Sequence, residues 1–127
     1  MKYKLSHKEV YVMQILWAAK EELSITDFIQ RDPELSTSTV QVVLRSLLKK
    51  SYIKVANIVQ HNKVFARTYL PVLSEEDYMM EQFNSSSLKP NAFFASYIEK
   101  EDDLDTLDAL EELIKAQKEK LSKEDES

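Results

Sequence analysis

Apolar residues recur at three- and four-residue intervals through Val10, Met13, Leu16 and Trp17, directly behind Ser6-His7-Lys8-Glu9. Serine followed three residues later by glutamate is a capping box, so the pattern predicts a first helix with one buried stripe. Ser24-Ile25-Thr26-Asp27 opens a second, short helix with Phe28 and Ile29 facing inward. Pro33 disfavours helical geometry at Asp32, which should end it. Ser36 caps a third helix whose buried face is Val40, Val43, Leu44, Leu47 and Leu48. The period then shortens. Tyr52–Val59 and Val64–Tyr69 are rich in β-branched and aromatic residues, and the polar Gln60-His61-Asn62-Lys63 between them makes a hairpin, with Asn62 suited to a left-handed turn. Pro71 ends its second strand.

Beyond the hairpin, Ser74-Glu75-Glu76-Asp77 starts a fourth helix with acids in its first turn. Asn84–Ser87 reads as a break, and a short aromatic helix follows around Ala92–Ile98. Asp105-Thr106-Leu107-Asp108 is expected to cap a last helix, in which Leu107, Leu110, Ile114 and Leu121 follow an approximate three–four alternation. Residues 122–127 read as a charged, frayed end. The fold class is therefore mainly α with a small β-hairpin. A winged helix-turn-helix head occupies residues 1–73, a helical dimerisation region 74–122, and an acidic tail 123–127.

Charge sharpens this division. The chain of 127 residues carries a net charge of −5, yet residues 1–73 sum to +5 and residues 74–127 to −10. No acid stands between Glu34 and Glu75, whereas Arg45, Lys49, Lys50, Lys54, Lys63 and Arg67 all do, which reads as six uncompensated cations. A basic island in an acidic protein, on the third helix and the hairpin, points to double-stranded DNA. Other chemistry is poorly supported. With no glycine there is no phosphate-cradling loop, and with no cysteine there is no disulfide, thiolate metal site or thiol nucleophile. His7 and His61 are far apart in sequence, so no metal and no cofactor is expected. The carboxylates after Ser74 fall on helix caps and solvated faces, and no nucleophile–base pair appears, so an enzyme is not expected. No apolar run approaches membrane-spanning length, which predicts a cytosolic protein without membrane insertion.

The third helix would enter the major groove by its N-terminal end. Ser36, Thr37, Ser38 and Thr39 offer hydroxyls and free amides to phosphate, Gln41 can pair with adenine, Val42 can meet a thymine methyl, and Arg45 can reach guanine or phosphate. Capping alone accounts equally well for Ser36 and Thr37, as does a hydroxyl bonded along the helix for Thr39. His61 and Lys63 form the wing tip, and Lys54 and Arg67 grip phosphate from its strands. Lys49 fits helix-end electrostatics, Lys50 remains open between that and DNA, and Trp17 belongs in the core. In the C-terminal half, Tyr78, Phe83, Phe93, Phe94, Tyr97, Ile98, Leu107, Leu110 and Ile114 must bury against something. A second copy of the chain is the economical partner, and a two-fold dimer predicts a pseudo-palindromic site. The rival reading is a winged-helix module for protein–protein assembly that uses the acidic helices as its surface.

These residues resemble the penicillinase-repressor family of bacterial winged-helix regulators, which also includes the copper-responsive repressors. The resemblance is carried by residues 5–9 and 12–17, most specifically by Leu35-Ser36-Thr37-Ser38-Thr39-Val40-Gln41-Val42-Val43-Leu44-Arg45, then by Tyr52-Ile53, residues 65–71 and Leu73-Ser74-Glu75-Glu76-Asp77-Tyr78, with weaker similarity at 97–101 and 110–113. It implies a homodimeric repressor that holds a promoter until a signal releases it, with recognition contacts at Thr37, Thr39, Gln41 and Val42. The chain departs from the family pattern at Val42 (usually threonine), Ser46 (usually arginine) and Ser51 (usually glycine), and its segment between Tyr78 and Tyr97 is several residues shorter. The cysteine cluster of the copper-responsive members is absent. The antibiotic-responsive members imply release by a membrane sensor and proteolysis, at a position that falls here near Ser96-Tyr97.

Overall fold

The computed structural model describes residues 3–87 and 89–126. Its order is α1 (His7–Ala19), β1 (Leu23–Ser24), α2 (Ile25–Arg31), α3 (Thr37–Lys49), β2 (Ile53–His61), β3 (Val64–Pro71), α4 (Glu75–Ser85), α5 (Pro90–Lys100) and α6 (Leu104–Glu126). The chain divides into two compact units, Met1–Ser85 and Ser86–Ser127.

In the first unit the expected starts are realised in hydrogen bonds. Glu9 N and Asp27 N donate to the Ser6 and Ser24 hydroxyls, while Ser6 N and Ser24 N donate back to the Glu9 and Asp27 carboxylates, so both capping boxes close. Ser36 Oγ accepts from Thr39 N at 3.1 Å, and Ser74 Oγ accepts from Asp77 N at 3.1 Å. Helix α2 stops at Arg31, immediately before Asp32-Pro33. The apolar stripes of α1, α2 and α3 meet in one core built on Val12, Met13, Leu16, Phe28, Val40, Leu44 and Leu47, closed at the sheet end by Leu23, Ile53, Tyr69 and Leu73.

The sheet has three antiparallel strands in the order β1-β3-β2. Strand β1 escapes prediction because two residues, Leu23 and Ser24, are too short to show alternation; they pair with Tyr69 and Thr68. The β2–β3 hairpin is longer than expected, with His61 opposite Val64 and a bulge between Val55 and Asn57. Asn62 takes φ 58°, as its turn requires. Ser51 takes φ 64° at the end of α3, the left-handed region that a glycine enters without a Cβ clash.

Helix α4 belongs to this same compact unit. Tyr78 packs on Trp17 with ring centroids 5.8 Å apart, and Trp17 Nε1 donates to Leu73 O at 2.8 Å. This contact engages Tyr78 with the head core, where a place on the dimer surface was expected.

The second unit is α5 followed by α6. Helix α6 starts two residues before the expected Asp105 cap: Thr106 Oγ1 donates to Asp103 Oδ2 at 2.6 Å and Leu107 N to Asp103 O at 3.1 Å. That hydroxyl bond also holds the Asp103 carboxyl below its ordinary pKa. At its other end α6 continues through Glu126, where a frayed end from Ser122 was expected. No described residue of α5 or α6 is buried.

Candidate nucleic-acid interface

The buried stripe of α3 fixes which side chains face outward. Val40, Val43, Leu44 and Leu47 point into the core, leaving Thr37, Ser38, Gln41, Val42 and Arg45 exposed. Val42 keeps 62% of its surface, a large apolar exposure for a residue directly before the buried Val43. Thr39 is half-buried. Its Oγ1 accepts from Ser36 Oγ at 2.8 Å, so this hydroxyl pair serves the helix start in addition to any ligand. The outward row holds polar and apolar groups suited to base edges, and the first turn of α3 contains no acid.

The hairpin carries the second set. Lys54, Lys63 and Arg67 are exposed, and among the described residues none of them, nor Arg45 or Lys49, is ion-paired. The His61 side chain lies outside the described residues. Arg67 stands opposite Ile58 and Phe65 opposite Gln60, which puts these four on one face of the ribbon. Ile58, Val64 and Phe65 are largely exposed, which gives the wing an apolar character that the strand propensity of these residues does not reveal.

Lys50 is different. Its ammonium donates to Glu9 Oε1 at 2.8 Å and to Lys4 O at 2.8 Å, so one of the six cations in the acid-free window is compensated from another helix. Glu9 Oε1 also accepts from Ser6 N, and Oε2 accepts from Ser46 Oγ at 3.0 Å. Burial pushes the Glu9 carboxyl up, but the Lys50 ammonium, the Ser6 amide and the Ser46 hydroxyl outweigh it and hold the pKa below the ordinary glutamate value. The cluster ties the start of α1 to the end of α3. It therefore fixes the crossing of the exposed helix over the core. On the other flank Tyr11 donates its hydroxyl to Asp32, a bond that raises the Tyr11 phenol above its usual pKa.

Three core helices, a three-stranded wing sheet and an outward-facing third helix are the geometry of a winged helix-turn-helix. A family model described as penicillinase repressor matches residues 5–123 of the chain. The chain belongs to the penicillinase repressor family. Membership makes it a DNA-binding regulator of transcription of the repressor type rather than a member of an enzyme family. No match was found among the curated proteins. Among the described residues no helix is long and apolar enough to cross a membrane.

The C-terminal unit of this family member presents a different kind of surface. Phe93, Phe94, Tyr97 and Ile98 of α5 and Leu110, Leu113 and Ile114 of α6 line an open groove of about 600 Å³. Of the residues expected there, Leu107 and Leu110 are half-buried, and Phe93, Phe94, Tyr97, Ile98 and Ile114 are exposed. Phe83 lies on α4, in the first unit, where it is half-buried. Ser96 and Tyr97 sit inside α5, with Ser96 half-buried.

Proposed function

We propose that the chain represses transcription as a homodimer on a pseudo-palindromic duplex site, with α3 in the major groove and the β2–β3 wing on the flanking backbone. Gln41 and Val42 read base edges. Ser36, Thr37, Ser38 and Thr39 meet phosphate at the helix start, and Arg45, Lys54, Lys63 and Arg67 neutralise the backbone beside it. The observation that carries this reading is the exposed, acid-free row of α3 beside a wing whose cations have no carboxylate partner among the described residues.

Pairing falls to the C-terminal helices. A unit of roughly 40 residues with no buried side chain among those described lacks a core of its own, and an apolar groove on each copy supplies one when two copies associate. Release by a signal completes the reading. A cut at Ser96-Tyr97 falls within α5, so it demands that the helix first unwind, and it divides the apolar face on which pairing rests.

Selection of bound sequences from random duplex DNA tests the proposal. The expected product is a two-fold symmetric motif with half-sites one helical turn, or a multiple of it, apart. Gln41→Ala should relax preference at one base pair of each half-site by about 1–3 kcal/mol. Lys63→Ala should weaken every sequence alike and lower the log–log salt slope by about 0.9. Absence of enrichment together with salt-insensitive behaviour would favour a protein–protein module instead.

A further inference from the structure

Helix α1 contributes a cation that lies far from the basic window in sequence. Lys8 lines a shallow surface hollow of about 270 Å³ together with Ser38, Thr39, Val42 and Val43 of α3. With His7 and Tyr11 it also borders the adjoining hollow that reaches Leu35 and Thr39. No carboxylate lines either hollow. The one acid next to Lys8 in sequence, Glu9, is turned inward and held by Lys50. Lys8 itself is exposed and is not ion-paired among the described residues.

The position of Lys8 is unfavourable for the fold. It is the second residue of α1, where the helix dipole and unsatisfied amides present partial positive charge and a further cation is repelled. Stability therefore gives no reason for a lysine here, whereas an anion beside α3 would draw favourably on both the ammonium and the helix end. Resting on the DNA-binding reading above, we propose that Lys8 is a phosphate-binding residue of the interface, and that the hollow it shares with Ser38, Thr39 and Val42 receives the duplex backbone flanking the base-reading row. The α1 start thus exchanges roles with the α3 end: Lys50 is paired with Glu9, and Lys8 is left to meet a ligand.

The test is the salt dependence of binding of the full chain to a mixed-sequence duplex. Lys8→Ala should lower the log–log slope by about 0.9, so that between about 50 and 200 mM salt it loses about 3.5-fold less affinity than the unsubstituted chain. Lys8→Glu should weaken binding further, and Lys8→Arg should restore it. Lys49→Ala, which removes an exposed cation from the far end of α3, should leave the slope unchanged. Lys8→Ala should melt at the same temperature as the parent or higher, which separates a lost contact from a damaged fold. An unchanged slope in Lys8→Ala, or equal flattening by Lys49→Ala, overturns the assignment while leaving DNA binding intact. Failure of the unsubstituted chain to bind duplex in a salt-sensitive way overturns the DNA reading and Lys8 with it.

Discussion

Phe28 in the head and Phe94 in the C-terminal unit are both aromatic residues on amphipathic helices, but Phe28 is 0% exposed and Phe94 44%. The contrast extends to polar groups. The head buries Glu9, Ser24 and Thr68 and satisfies each one: Glu9 by Lys50, Ser6 and Ser46, Ser24 within its capping box, and Thr68 by donating to Glu22 at 3.0 Å. The C-terminal unit buries nothing, polar or apolar, among its described residues. A region that satisfies its buried groups internally is a self-sufficient fold. One that leaves a row of aromatic and aliphatic side chains exposed still has apolar surface to cover. On the proposed function, the base-reading surface stands on the part with a core of its own and the pairing surface on the part without one.

The largest expected effect tests that separation directly. Phe28→Ala should cost about 3–5 kcal/mol in the unfolding of the head, with no dependence on protein concentration. Phe94→Ala should instead act through association, lowering the apparent stability of the C-terminal helices most at low concentration. If both variants behaved alike in a concentration series of chemical denaturation, the contrast would be broken. Next comes the cluster beneath α3. Glu9→Gln leaves Lys50 without its counter-charge and should destabilise the head by about 1–3 kcal/mol at neutral pH. Because the folded pKa of Glu9 is depressed, its contribution is fully present above the ordinary glutamate value, near pH 4, and is lost as pH falls through the lower folded value. The gap between parent and variant should therefore close in acid, as read by denaturant midpoints across pH. The smallest effect places the boundary between regions. Tyr78→Ala should cost about 1 kcal/mol through its loss from Trp17, and should leave self-association untouched.

Much of the fold was legible because its signals are local. Ser6 with Glu9, Ser24 with Asp27, Ser36 and Ser74 all cap helices within three residues, and the three–four spacing of Val40, Val43, Leu44 and Leu47 determines which side of α3 faces out. What was missed is short or distant. Strand β1 has two residues and exists only because β3 returns beside it. Asp103 rather than Asp105 starts α6, a choice among neighbouring acids that composition does not distinguish. Charge counting along the chain overlooks pairing in space: Glu9 reaches Lys50 across 41 residues, and Lys8 arrives beside Val42 from a helix outside the basic window. Tyr78 has the same ring chemistry as Tyr97, and only the position of Trp17 sends it to the head.

The central claim is that the C-terminal helices require a second copy to complete their core and thereby deliver two heads to one duplex. Sedimentation equilibrium of the full chain measures this most directly. The account predicts a species of twice the 14.8 kDa chain mass that converts to the single mass when Tyr97→Asp places a charge in the groove. A chain that stays at the single mass at every concentration, with or without duplex, would contradict it.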